Sequence, residues 1–258
     1  MASFEGKLFV AWEEVNENKR SPRRQIRVKA YNGTNFSFVE SGAAAGLNQN
    51  SLNDAYTAFL AVHNAKLFIT FHERGKVRVK VYAGGTTWNF TDGGGTTGIN
   101  SDLGSYADLS SLISFNGKLY AGIRQDLKMR MLSYDGVSWQ YADGSSASQG
   151  LNYDPAQRAG RPVLQVHNGM LYLAWMEQNS STKYTVRMRA LNPNAIVPSF
   201  DFIDGGAQYG ISFDLSQNAY FPSLSSANSK LYLGLVGADA QSSVRGLDQA
   251  MAAVMNNE

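Results

Sequence analysis

Gly117-Lys118-Leu119-Tyr120 decides how this sequence is read, because the tetrad comes back. It stands again as Gly6-Lys7-Leu8-Phe9, Ala65-Lys66-Leu67-Phe68, Gly169-Met170-Leu171-Tyr172 and Ser229-Lys230-Leu231-Tyr232. Counted on the second residue, the intervals are 59, 52, 52 and 60, and a period of this size marks a repeat architecture. A second marker keeps step, an Arg after an apolar residue: Ile26-Arg27-Val28, Val77-Arg78-Val79, Met129-Arg130-Met131, Val186-Arg187-Met188 and Val244-Arg245-Gly246. A third, Gly-(Leu/Ile)-(Asn/Ser), has four copies, at Gly46-Leu47-Asn48, Gly98-Ile99-Asn100, Gly150-Leu151-Asn152 and Gly210-Ile211-Ser212. Nine residues after each Gly stands an Ala: Ala55, Ala107, Ala159 and Ala219.

Inside one unit, period-2 alternation gives four strands, over 58–62, 66–72, 77–82 and 87–91. A four-stranded meander repeated five times predicts an all-β fold, a five-bladed β-propeller of four-stranded antiparallel blades. Residues 1–258 then form a single domain of five units, starting near residues 1, 57, 109, 161 and 221. The last unit is degenerate or ends in a short helix, since Leu247, Ala250, Met251 and Val254 have helical spacing. Paired aromatics two apart in the fourth strands, Phe36 and Phe38, Trp88 and Phe90, Trp139 and Tyr141, Phe200 and Phe202, are expected to pack between blades. All four tryptophans are read as core.

Composition agrees with many strands and tight turns: 25 Gly, 26 Tyr plus Phe and only 6 Pro. With 17% charged residues and a net charge of +2, no global field points to nucleic acid or to an acidic membrane surface. The basic group Lys19, Arg20, Arg23 and Arg24 reads as a solvated loop. There is no Cys, which excludes disulfides and thiolate chemistry. A metal site built from His63, His72 and His167 is not expected, and no cofactor or metal is implied. No apolar run is long enough to insert into a membrane, and no export signal opens the chain.

The run Trp12 to Glu14, Ile26 to Lys29, Tyr31 to Thr34 and Asp92 to Asn100 resembles the propeller-type tandem repeats of Gram-positive bacterial surface and secreted proteins. The resemblance covers about four of the five units. In scale the architecture is also similar to the five-bladed tachylectin-like lectins. It implies a propeller and an extracellular or cell-surface location, and it carries no settled activity.

Propeller connectivity puts the short turns on one face and the long loops that join consecutive units on the other, which makes the long-loop face the candidate site. Polar contacts are expected from Asn48, Asn50, Asn100, Asp102, Asn152, Asp154 and Asp214, with Tyr56 and Tyr220 as stacking surfaces. The same Asn and Asp residues also suit a structural role as turn caps. Enzyme activity is not expected, because the acids mostly recur by repeat, as Glu14, Glu73 and Glu177 or Asp92, Asp143 and Asp204, whereas glycoside hydrolysis needs unique carboxylates. The readings left open are a non-catalytic, multivalent, lectin-like carbohydrate binder or a structural or protein-binding propeller, the latter as a fragment or engineered version of a longer repeat protein, with a glycoside hydrolase as the less favoured third. The partners are then a glycan or a surface protein, with self-association through an open end blade.

Overall fold

Each recurring tetrad begins a strand because the two residues before its Lys, Met or equivalent form a tight turn. Asn116 and Gly117 have φ of 44° and 73°, and Asn168 and Gly169 have 46° and 74°. Positive φ at both central residues matches the right-handed twist of the flanking strands and closes a two-residue hairpin. The computed structural model describes residues 1–15, 23–40, 46–94, 97–100, 105–144, 150–179, 182–192, 199–205, 210–211, 217–237 and 242–246.

The described residues form five antiparallel sheets. The first holds β1 (Ala2–Phe4), β2 (Lys7–Val15), β3 (Arg24–Tyr31) and β4 (Phe36–Phe38); the second holds β5 (Ala55–His63), β6 (Lys66–Glu73), β7 (Lys76–Gly84) and β8 (Thr87–Phe90). The third holds β9 (Ala107–Phe115), β10 (Lys118–Gln125), β11 (Lys128–Tyr134) and β12 (Trp139–Tyr141). The fourth holds β13 (Ala159–His167), β14 (Met170–Gln178), β15 (Tyr184–Asn192) and β16 (Ser199–Phe202). The fifth has three described strands, β17 (Ala219–Ala227), β18 (Lys230–Gly237) and β19 (Ser242–Gly246). In every sheet the strands neighbour one another in chain order, as in a meander. The fold is all-β and of the five-bladed propeller class. The segment whose spacing suggested a helix, 247–258, lies outside the described residues. Among the described residues no helix is long and apolar enough to cross a membrane.

The chain divides into two compact units. Unit 1 is Met1–Asp126 with Ser133–Gln140, and unit 2 is Leu127–Leu132 with Tyr141–Glu258. In unit 1, Phe9, Ile26 and Val28 of the first sheet pack with Leu67, Ile69, Phe71 and Trp88 of the second. In unit 2, Tyr172, Val186 and Met188 of the fourth sheet pack with Leu231 and Leu233 of the fifth. Histidines pin neighbouring sheets within each unit: His63 Nδ1 lies 2.9 Å from Ser114 Oγ in unit 1, and His167 Nδ1 lies 2.7 Å from Ser226 Oγ in unit 2.

The aromatic expectation holds in part. Trp175 is fully buried, and Trp88 is buried with its indole N–H donating to the Val39 carbonyl at 2.8 Å. Trp12 and Trp139 are half-buried, while Phe36 and Phe38 on β4 are 53% and 39% exposed. β4 and β8 are both edge strands, so the difference lies in what covers the ring: Trp88 is held at Val39, whereas Phe36 meets Tyr31 and Phe38 meets Trp12, Arg27 and Lys29 and both stay exposed.

The Arg marker turns out to be a buried ion pair in each of four sheets. Arg27 meets Glu40 at 3.1 Å, Arg78 meets Asp92 at 3.0 Å, Arg130 meets Asp143 at 2.6 Å and Arg187 meets Asp204 at 3.5 Å. The carboxylate of every pair is wholly buried. Each guanidinium also lies over a ring, Phe38, Phe90, Tyr141 or Tyr153, at 4.1 to 4.7 Å from its centroid. The side chain of Arg245 lies outside the described residues. Removing one partner leaves the other charge buried and uncompensated, so Asp92→Ala should destabilise unit 1 by about 3 to 5 kcal/mol in urea unfolding. Arg23→Ala, which breaks the exposed pair with Asp54, should cost at most about 1 kcal/mol, and equal losses in the two variants would contradict this assignment.

Candidate functional site

The long loops are fastened to the sheets by the residues first expected to contact a ligand. Asn48 is buried, its Oδ1 accepting from Ile26 N at 3.1 Å and its Nδ2 donating to the Arg24 and Asn53 carbonyls at 2.9 Å. Asn100 accepts from Val77 N at 3.1 Å and donates to the Ser105 carbonyl, and Asn152 accepts from Met129 N at 2.8 Å and donates to the Gln157 carbonyl. The preceding Gly is required sterically. A Cβ on Gly46, Gly98 or Gly150 would sit 2.5 to 2.7 Å from the carbonyl oxygen of Ile26, Val77 or Met129.

Asn50 is exposed; its N–H donates to Glu73 at 3.0 Å and its Oδ1 caps Leu52 N. Asp154 repeats this, its N–H donating to Glu177 at 2.9 Å and its Oδ1 accepting from Ala156 N. The recurring Glu73 and Glu177 thus receive two consecutive loop amides each, with Gln49 and Tyr153 supplying the others. Asp102 and Asp214 lie outside the described residues, as do Lys19 and Arg20. Among the described residues, Asn48, Asn100 and Asn152 each bond to the backbone of their own loop and of the strand it is fastened to.

Tyr56 leads to a different cluster. Strands β5, β9, β13 and β17 each carry a β-bulge near their start, between Tyr56 and Phe59, opposite Ile123/Arg124, between Gly160 and Val163, and between Tyr220 and Ser223. Each bulge holds a non-glycine residue at positive φ: Thr57 at 55°, Leu109 at 44°, Arg161 at 53° and Phe221 at 52°. Bulges re-aim side chains, and they concentrate next to active sites. Just before each bulge, one cross-strand pair differs in every sheet: Tyr56 opposite His72, Asp108 opposite Arg124, Gly160 opposite Met176 and Tyr220 opposite Val236. The Ala that precedes this position is constant. A position that varies inside a constant frame is free of the structural job done by its neighbours.

In unit 1 these positions assemble ionisable groups. Asp108 is buried and takes a bidentate ion pair from Arg124, with Nε to Oδ1 at 2.6 Å and Nη2 bonded to Oδ2. Tyr56 stacks on the His72 ring at 4.9 Å with 16° between planes. His72 Nδ1 lies 2.9 Å from Thr57 Oγ1, and the Thr57 N–H donates to Glu13 Oε1 at 2.7 Å. Glu13, from the end of β2, also faces Arg24 at 3.7 Å. Burial pulls the His72 pKa below its ordinary 6.5, the Asp108 and Glu13 charges pull it back up, and Arg124 adds to the lowering. Burial therefore wins over two carboxylates, and the imidazole is mainly neutral at neutral pH. Two carboxylates, a neutral imidazole and a guanidinium around an aromatic ring can transfer protons and stabilise developing positive charge. Among the described residues no group of three or more His, Asp or Glu is placed to hold a metal ion.

Sequence reasoning passed over Glu13, His72, Asp108 and Arg124 because each occurs once. Aligning the five copies shows Glu13, His72, Arg124, Met176 and Val236 at one position, directly before the recurring Glu14, Glu73 and Glu177 in three of them. That contrast is the signal that finds them.

No family model matches the sequence, and no curated protein does. Solved structures do match in fold. The α-L-arabinofuranosidase of Podospora anserina in complex with cellotriose superposes with a TM-score of 0.52 at 7% identity, over 93% of this chain and 82% of that one. The catalytic domain of a Coprinopsis cinerea α-L-arabinofuranosidase gives 0.52 at 7% identity, over 91% and 81%. A mutant α-L-arabinanase of Cellvibrio cellulosa gives 0.52 at 11% identity, over 95% and 89%. At these identities the likeness establishes the propeller fold. Of the resemblance drawn from the sequence, the repeated four-stranded sheet is what the structure carries.

Two expectations are corrected here. The expected non-catalytic, lectin-like or protein-binding module is corrected to this extent: the three structures named above are carbohydrate-cleaving enzymes, and at 7 to 11% identity the likeness itself carries the fold alone. Glu13 and Asp108 also recur at the matching position of no other repeat, so the chain does hold carboxylates outside the repeat pattern.

Loop fastening and the cluster separate by mutation. Asn100→Ala, which strands a buried Val77 amide, should destabilise unit 1 by about 1 to 3 kcal/mol in chemical denaturation. Asn50→Ala, which removes one exposed cap, should cost about 1 kcal/mol or less, and the reverse order would contradict the fastening role.

Proposed function

We propose that this chain is a carbohydrate-active hydrolase that cleaves a glycosidic bond at the unit 1 cluster of Glu13, His72, Asp108 and Arg124. The observation that carries this reading is Asp108, a buried carboxylate gripped by Arg124 at a position where the other sheets hold Tyr56, Gly160 and Tyr220. A hydrolase needs acid groups that belong to one site rather than to every repeat. The shared fold with carbohydrate-cleaving enzymes supports the same class of chemistry.

In this reading Asp108 is the fixed negative charge opposite the positive character that builds at the sugar ring in the transition state. Glu13 and His72, joined through Thr57, handle the protons, and Tyr56 offers its ring to the sugar. The partner is a glycan, and an extracellular or cell-surface setting belongs to the same proposal. So does the reading of all five sheets as one domain.

The test is release of reducing sugar from a panel of aryl glycosides and plant and microbial oligosaccharides. The native chain should turn over at least one of them, and Asp108→Asn or Glu13→Gln should lower kcat by about 100-fold or more while circular dichroism stays unchanged. A panel with no turnover, or full activity in Asp108→Asn, would defeat the proposal.

The pH dependence has a defined sign. Since burial lowers the His72 pKa below 6.5, the imidazole stays neutral as pH falls through 6.5 and becomes charged only further down. With neutral His72 as proton acceptor, kcat/KM should hold through pH 6.5 and fall below it, and His72→Gln should remove that acid limb. An acid limb that persists in His72→Gln would assign it to another group.

A further inference from the structure

In unit 2 the bulge positions hold a different chemistry. Arg161 is exposed on the bulge of β13, and its guanidinium carbon lies 4.2 Å from the centroid of the Phe221 ring on the bulge of β17. Phe221 is 48% exposed, and its N–H is held by Met176 Sδ at 3.3 Å. Rings continue from it: Tyr220 lies 6.0 Å from Phe221, and Tyr184 lies 5.7 Å from Tyr220. Among the described residues no carboxylate pairs with Arg161, whereas Arg124, its nearest counterpart in kind in unit 1, is fully engaged by Asp108. Arg161 and Phe221 share the positive φ of Thr57 and Leu109 at the other bulges, and of the four they are the two that stand exposed.

The chemistry selects a ligand. An exposed aromatic face accepts the C–H face of a sugar ring, and a guanidinium stacked on that aromatic still presents N–H donors in its plane. Those donors match a carboxylate in bidentate geometry. One cation lying over one ring suits a single carboxylate on a sugar, whereas a polyanion needs a basic patch. Resting on the carbohydrate reading above, we propose that Arg161 and Phe221 form a subsite in unit 2 for the uronic-acid residue of an acidic oligosaccharide.

The experiment is calorimetric titration of the full chain with an oligogalacturonate and with the neutral galactose oligomer of the same length and linkage. The native chain should bind the uronate about tenfold more tightly than the neutral oligomer, with the margin shrinking as salt rises. Arg161→Ala should abolish that margin and leave neutral binding in place, while Phe221→Ala should weaken both ligands. Equal affinities in the native chain, or an undiminished margin in Arg161→Ala, would overturn the subsite. Because the readout is binding, it stands apart from turnover: loss of hydrolysis with the uronate margin intact would strike the catalytic reading alone.

Discussion

A buried arginine facing a buried carboxylate, four times over, is the constraint from which the rest of this structure follows. Each charge is taken out of water, and the desolvation this costs is offset by the partner at 2.6 to 3.5 Å and by the ring under the guanidinium. The residue just before the Arg then receives the next long loop. Ile26, Val77, Met129 and Val186 accept the N–H of Leu47, Ile99, Leu151 and Ile211 at 2.8 to 2.9 Å. The second and third sequence markers are therefore two halves of one joint, and the Gly of the third is there because a Cβ would strike the carbonyl that forms it.

With the loops fastened, the first residues of β5, β9, β13 and β17 are held in place, and the bulges that follow can carry strained backbone. Thr57 and Leu109 in unit 1, and Arg161 and Phe221 in unit 2, adopt a φ that costs a non-glycine residue about 1 to 3 kcal/mol. A frame that over-determines the strand can bear this. The outcome is a division of labour along a few residues of each strand: the Ala is constant and buried, the next position varies, and the bulge residue is half-buried in unit 1 (Thr57, Leu109) and exposed in unit 2 (Arg161, Phe221). Ionisable chemistry gathers at the varying positions in unit 1, and an aromatic row with one cation gathers there in unit 2.

The parts of the fold that repeat were legible in the sequence. The second strand of the second repeat is read as 66–72 and found as β6 at Lys66–Glu73, because its alternation runs unbroken from a tight turn. The first is read as 58–62 but β5 begins at Ala55, since the bulge at Thr57 interrupts the period of two on which the reading depends. His72 and Asp108 look unremarkable in a search for recurring features because they do not recur, and the recurring Asn48, Asn100 and Asn152 drew attention although their amides serve the backbone. In a repeat protein, recurrence points first to the frame, and departures from it point to chemistry.

That division is tested most directly by nuclear magnetic resonance of the full chain titrated with a saccharide that it binds, reading the imidazole of His72 and the amides of Thr57, Asp108 and Asn100 together. The account predicts that His72, Thr57 and Asp108 shift as the sugar is added while the Asn100 amide and side chain stay fixed. Shifts confined to Asn48, Asn100 and Asn152, with His72 and Asp108 unmoved, would contradict it.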